Sequence, residues 1–279
     1  MKLHTIDTGF FKLDGGAMFG VVPKTIWNKT NPADENNLCT WAMRCLLIED
    51  GDKLILVDTG IGNKQDPKFF SHYYLHGDAN LKSSIAAAGF GLDDITDVFL
   101  THLHFDHVGG AVERINDQLA PTFKNAKYWS NAQHWDWAVN PNEREKASFF
   151  KENILPIQES GQLNFVDLID GVQFNKDFAV KFVYGHTDAM MLPLINYKGR
   201  QILYTADLLP STGHIPLPYV MAYDMFPLKT LGEKKVILKE AVENDYVLFF
   251  EHDPINECCT LQQTEKGIRL KETFKLSDF

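Results

Sequence analysis

The sequence predicts an α/β fold, a four-layer αβ/βα sandwich formed by one domain spanning 1–279. Three observations predict it. Short apolar, β-rich runs alternate with stretches of helical spacing along the chain. Both halves show the same order, a hairpin-rich sheet segment followed by helices, so that either half alone would leave a sheet face uncovered. Metal-capable side chains stand just past the ends of several apolar runs, where ligand sites gather in layered α/β folds.

The elements follow from local pattern. Residues 42–48 (AMRCLLI) and 53–58 (KLILVD) are apolar and flank Glu49-Asp50-Gly51-Asp52, which reads as a hairpin. Residues 80–88 have helical spacing and stop at Gly89. A short buried strand is expected at 97–101 (DVFLT), and a helix over 142–154 that halts before Pro156. Strands are expected at 178–184 (FAVKFVY), 201–205 (QILYT) and 246–250 (YVLFF), with an amphipathic helix over 232–244. The stretch 139–164, with Pro141, Pro156 and Gly161, reads as a connection between the halves.

Composition narrows the function classes. The net charge is -10, so a phosphate backbone would be repelled and nucleic acid is not an expected partner. Neither is a membrane: there is no basic face and no run long enough to span. The N-terminus lacks the apolar segment of a secretory leader. Cys39, Cys45, Cys258 and Cys259 form no CxxC and two are adjacent, which suits reduced thiols in the cytoplasm.

The chemistry concentrates in residues 101–110, THLHFDHVGG. His102 and His104 are two apart and point the same way on an extended chain. Asp106 and His107 follow as the chain turns, and Gly109-Gly110 let the backbone fold tightly. One turn supplies too few ligands to close two metal sites. Three further residues stand past strand ends: His186 after FAVKFVYG, Asp207 after QILYTA and His252 after YVLFFE. His4, His72, His76, His134 and His214 lack that placement and are read as polar contacts or surface. Imidazole and carboxylate without thiolate suit zinc, manganese, iron or cobalt. Structural zinc usually has four closed, thiolate-rich ligands, so this donor set favours a catalytic site.

The ordered set Asp58-Thr-Gly, His102-Leu-His-Phe-Asp-His107, His186, Asp207 and His252 resembles the metallo-β-lactamase superfamily. The resemblance implies the metallo-β-lactamase fold and two divalent metal ions, zinc first among them. It places His102, His104 and His186 on one ion, Asp106, His107 and His252 on the other, and Asp207 between them. Asp58 would orient a ligand imidazole. The flanks LDGGAMFGVVPKTIW (13–27) and VMAYDMFP (220–227) are similar to quorum-quenching N-acyl-homoserine-lactone lactonases, which open a lactone ring. On that reading Asp106 is catalytic, Tyr223 (or Tyr219) takes the place of a tyrosine the family carries where Pro210 stands here, and Met18, Phe19 and Trp27 line the substrate pocket from a Gly- and Pro-punctuated loop. No Gly-His pair follows His186, so a hydrogen bond the family makes there is either missing or replaced by Asp188. The expected substrate is a small-molecule lactone or ester. The alternatives are another ester or organophosphate hydrolase on the same metal core, or a metal-stabilised binding protein without turnover. Assembly is left open, a homodimer included.

Overall fold

The computed structural model describes residues 1–279. The chain begins with strand β1 (Lys2–Asp14), two short helices α1 (Gly15–Phe19) and α2 (Lys24–Trp27), and the hairpin β2 (Leu38–Asp50) and β3 (Lys53–Val57). Helices α3 (Pro67–Ser71) and α4 (Leu81–Ala87) lead to β4 (Asp97–Phe99) and the single-turn helix α5 (Phe105–Val108). There follow β5 (Val112–Ile115), β6 (Gln118–Pro121), β7 (Lys127–Ser130), α6 (Ala132–Val139), α7 (Lys151–Glu159) and β8 (Leu163–Phe165). The remainder is β9 (Val172–Asn175), β10 (Phe178–Val183), β11 (Met190–Tyr197), β12 (Arg200–Tyr204), α8 (Pro227–Glu243), β13 (Val247–Phe249), β14 (Cys258–Thr264) and β15 (Gly267–Phe274). No helix is long and apolar enough to cross a membrane.

The chain divides into two units, Met1–Gly9 with Met43–Leu168, and Phe10–Ala42 with Ile169–Phe279. Strands β1 and β2 are each shared between them by the position of the cut.

The first unit carries a mixed sheet in the order β1-β2-β3-β4-β7-β8. The expected hairpin pairs antiparallel, Leu46 opposite Val57. Strands β3, β4, β7 and β8 then run parallel. Parallel strands are covered on both faces, which is why the segment LILV in β3 is apolar without alternation. Its core joins Leu56, Val98, Leu100 and Tyr128 of the sheet region to Ile85 of α4 and Ile154 and Ile157 of α7. Helix α4 starts where Asn80 accepts from the Ser83 amide at 2.9 Å and ends before Gly89, at φ +93°. The helix expected over 142–154 is displaced. Residues 142–145 instead form a turn in which Asn142 Oδ1 accepts from the amides of Arg144 (2.9 Å) and Glu145 (3.1 Å). Helix α7 then runs through Pro156 rather than halting before it. Proline removes one hydrogen bond there, and burial of Ile154 and Ile157 on both sides of it outweighs that loss.

The second unit carries a sheet in the order β15-β14-β13-β12-β11-β10-β9. The pair β12–β13 is parallel and the other pairs are antiparallel. Strand β11 is not evident from sequence because Pro193 interrupts it. In the structure Pro193 faces Val180 of β10, and pairing with β12 begins only at Leu194, so no ladder bond to β12 is lost. Helix α8 begins earlier than the expected 232, at Pro227, whose fixed φ suits a first helical position. It packs against the hairpin β14–β15, which also escapes sequence pattern.

Candidate metal centre

In the first unit, β4 delivers the chain into the ligand turn. Asp58, at the end of β3, adopts φ +57° and anchors that turn. Its Oδ1 accepts from the Thr101 amide at 2.8 Å and its Oδ2 from Thr101 Oγ1 at 2.6 Å, with His107 Nδ1 at 3.2 Å. Both the amide and the hydroxyl of Thr59 donate to the His107 carbonyl at 2.8 Å. A Cβ on Gly109 would lie 2.0 Å from the Ile61 carbonyl oxygen, so only glycine permits this approach of the two loops. The buried Lys64 ammonium donates to the Gly109 carbonyl.

The turn draws its imidazoles together. The rings of His102 and His104 meet edge to face with centroids 4.5 Å apart, and those of His102 and His107 are 3.9 Å apart. Ligand atoms of His102 and His104 lie within 4.8 Å of each other, as do those of Asp106 and His107. His104 Nε2 is held by Glu145 Oε1 at 2.9 Å, and the other Glu145 oxygen accepts from Trp137 Nε1 at 2.6 Å.

In the second unit, His186 follows β10, Asp207 follows β12 and His252 follows β13. Asp207 stands between the two imidazoles: Oδ2 is 3.1 Å from His186 Nε2 and Oδ1 is 3.0 Å from His252 Nε2. The opposite nitrogens are anchored, His186 Nδ1 to Asp224 Oδ1 at 2.8 Å and His252 Nδ1 to the Ala42 carbonyl at 2.8 Å.

The donor chemistry fits a cation. Carboxylate and carbonyl oxygens only accept, so each anchored nitrogen carries the proton and a neutral ring presents its lone pair on the other. That lone pair is Nε2 in His107, His186 and His252 and Nδ1 in His104. Two such lone pairs face Asp207 oxygens, which is favourable only with a positive charge between them. For a proton the effect is visible at His186: burial pulls its pKa down, but Asp207 and Asp224 outweigh it and raise it to about 10. A divalent cation answers the same field with the donors the site offers. All seven of His102, His104, Asp106, His107, His186, Asp207 and His252 are buried, which metal-capable side chains tolerate only when paired or coordinating.

Residues 44–252, most of the chain and every one of these seven positions, match the metallo-beta-lactamase superfamily. The chain belongs to that superfamily.

Its class is therefore that of the metal-dependent hydrolases of the metallo-β-lactamase superfamily. A probable metal-dependent hydrolase from Staphylococcus aureus has the same fold, with a TM-score of 0.86 and 26% identity, covering 98% of each chain. An N-acyl homoserine lactonase from a Bacillus species is 24% identical over 272 residues, 90% of this chain and 93% of its own. The dizinc quorum-quenching lactonase AidC, solved with a product, superposes with a TM-score of 0.78 at 24% identity, covering 99% of this chain and 97% of that one. The α/β fold expected from sequence, the metallo-β-lactamase fold, is the one found.

The remaining expected residues of this metallo-β-lactamase relative are placed as follows. Asp58 touches His107, the contact an orienting residue needs. Tyr223 is 38% exposed, beside Asp224. Met18, Phe19 and Trp27 do not lie in an open loop. They sit on α1 and α2 and are buried, because the GG and VP punctuation marks short helices rather than extended chain. Phe19 is stacked between Trp27 (centroids 5.4 Å, interplanar 7°) and His214 (4.4 Å, 6°). Burial pushes His214 down to about 3, so its ring is neutral, with Nε2 2.9 Å from the Met18 carbonyl. His186 Nδ1 is held by Asp224.

Sequence reasoning missed Asp224 and Glu145. Both lie far from the imidazoles they hold, 38 and 41 positions away. It also missed an aromatic cluster beside Asp106. Phe69 packs edge to face on Phe105 (5.3 Å) and Phe150 (5.1 Å), and Tyr73 lies 4.9 Å from Phe105. Burial and the nearby Asp106 charge raise the Tyr73 phenol to about 12, so it stays protonated. The FF-x-x-Y spacing on a helix was the available signal.

Proposed function

We propose that this hydrolase opens the lactone ring of N-acyl-homoserine lactones with two divalent metal ions, zinc by preference, in one domain spanning 1–279. The observation that carries the reading is Asp207, each of whose oxygens meets an imidazole anchored on its far side. On this reading His102, His104 and His186 would hold one ion, Asp106, His107 and His252 would hold the other, and Asp207 would serve both. Asp58, Glu145 and Asp224 fix the rings. Two such ions supply Lewis-acid polarisation of an ester carbonyl and activation of water near neutral pH.

The chain's own groups do the rest. Asp106 takes up a proton from the water whose oxygen bonds to the acyl carbon and gives it to the ring oxygen when the ring C–O bond breaks, leaving a hydroxy acid. Tyr223 donates a hydrogen bond to the substrate carbonyl. The lactonase relative supports the lactone, and the aromatic face of Phe69, Tyr73, Phe105 and Phe150 supports an apolar acyl tail. Met18, Phe19 and Trp27 are buried, with Phe19 stacked on Trp27 and His214.

The test is a panel on zinc-loaded protein: acyl lactones of short and long chain, an aryl ester and an organophosphate triester, followed by proton release. Turnover highest on acyl lactones is expected. Intact lactones alongside cleavage of the aryl ester or triester would overturn the substrate assignment and leave the hydrolase class standing.

A further inference from the structure

One end of α8 is fastened to the ligand segment of the second unit in a way the hydrolytic chemistry does not require. Glu233 and Lys234 are consecutive residues, yet both turn inward from the helix. The Glu233 carboxylate accepts two backbone amides, Tyr184 at 2.7 Å and Gly185 at 3.0 Å, immediately before His186. Lys234 is fully buried and its ammonium donates to the carbonyls of Pro216 (2.9 Å) and Tyr219 (2.8 Å). Between these two attachments lie the residues that set His186. The Met225 amide donates to the His186 carbonyl at 3.0 Å and the Phe226 amide to the Gly185 carbonyl at 2.8 Å, so the segment carrying Asp224 runs along the segment carrying His186. Gly185 is pressed on the helix: a Cβ there would meet the Thr230 amide nitrogen and hydroxyl at 2.3 Å.

Burying the Lys234 ammonium on two carbonyls is costly, and the nearby buried Asp224 charge offsets that cost only in part, leaving the lysine pKa lowered to about 7. Neither arrangement is needed to hold an amphipathic helix on a sheet, since α8 already buries Ile237, Leu238 and Ala241. Both arrangements fix backbone at the two sides of the His186–Asp224 contact. A ligand imidazole can only present Nε2 along a set direction if its own backbone and its anchoring carboxylate are both fixed.

We propose that Glu233 is a positioning residue for His186, acting through the Tyr184–Gly185 backbone, and that Lys234 is its counterpart on the Pro216–Tyr219 segment leading to Asp224. The proposal rests on the assignment of His186 as a metal ligand. It makes α8 the part of the fold that tunes how tightly one of the two ions is held.

The experiment is zinc affinity by competition with a chromophoric chelator, independent of turnover, on wild type, Glu233→Gln, Lys234→Met, Asp224→Asn and the double variant Glu233→Gln/Asp224→Asn. Glutamine can accept only one of the two amide bonds well. The expected result is a roughly 10–100-fold weaker affinity for one ion in Glu233→Gln, the range typical of groups that orient ligands, and a smaller loss in Lys234→Met. The double variant should lose less than the product of the single losses, because both changes release the same ring. Lys181→Met serves as control: it removes the 2.8 Å ion pair of β10 with Glu240 on the same helix and should lower Tm without changing zinc affinity. Zinc affinity in Glu233→Gln within about twofold of wild type, or losses that simply multiply in the double variant, would sink the proposal. Glu233→Asp, which keeps the charge and shortens the reach, should fall between, and supplies the comparison if the glutamine variant does not fold. Wild-type protein that binds no zinc would instead refute the metal assignment beneath it.

Discussion

At the scale of single residues, the site depends on which nitrogen of each imidazole is occupied elsewhere. Asp58, Glu145, Asp224 and the Ala42 carbonyl decide this for four rings. Asp106 differs from them, because its carboxylate has both a ligand role and a proton to move on the proposed mechanism. Asp106→Asn should therefore lower kcat by roughly 10²–10⁴-fold, the usual contribution of a positioned acid–base group, while circular dichroism shows a retained fold. A binding protein without turnover would instead keep its ligand affinity in this variant. The seven metal-capable positions are legible in the sequence because each sits in a dense motif or just past an apolar strand. Asp224 and Glu145 are not, because a carboxylate far away in sequence acquires its meaning only when the chain folds back.

At the scale of elements, the segment from Asp58 to Lys64 is a cradle for α5. Gly109 fits only because it lacks a side chain. Gly109→Ala should cost about 3 kcal/mol or more, since the contact is with backbone that cannot rotate away, and a urea titration would read it as a lower midpoint. Lys64 closes the same cradle, with its pKa lowered by burial to about 7 from an unfolded value near 10.5. A base whose folded pKa is depressed binds fewer protons folded than unfolded between those two values, so stability rises with pH across that window. The penalty is present in full below pH 7 and is relieved as pH rises toward 10.5. Lys64→Met should remove that rise: the Tm difference between variant and wild type should shrink, or turn against the variant, from pH 7 to pH 9.5 in differential scanning fluorimetry. The strands around this cradle were legible because parallel, doubly covered strands are uniformly apolar. Strand β11 and helix α7 were not, because Pro193 and Pro156 are breakers by local rule and are accommodated only by a register and by packing that arise in the folded sheet and core.

At the scale of the whole molecule, the seven metal-capable side chains divide between chain segments: four in Met43–Leu168 and three in Ile169–Phe279. Ions bound by the native chain and not by the unfolded one stabilise by mass action, about 2.7 kcal/mol at a hundredfold excess over Kd. Stripping zinc with a chelator should therefore lower Tm by several degrees and abolish hydrolysis, and zinc restored in stoichiometric amount should recover both. A chelated sample with unchanged Tm and activity would contradict the metal assignment. The net charge of -10 is a property of the sum and needs no structure to read.

The second unit draws its first segment, Phe10–Ala42, from near the start of the chain and the rest from Ile169 onward. On the ribosome this means a long wait. Phe19 and Trp27 emerge early, but His214, which stacks on Phe19 and contacts the Met18 carbonyl, is synthesised 196 positions after that methionine. Until then Phe19 has Trp27 but not His214 to stack on, and the apolar surface that the second unit later covers is open to aggregation, a hazard of an interleaved topology.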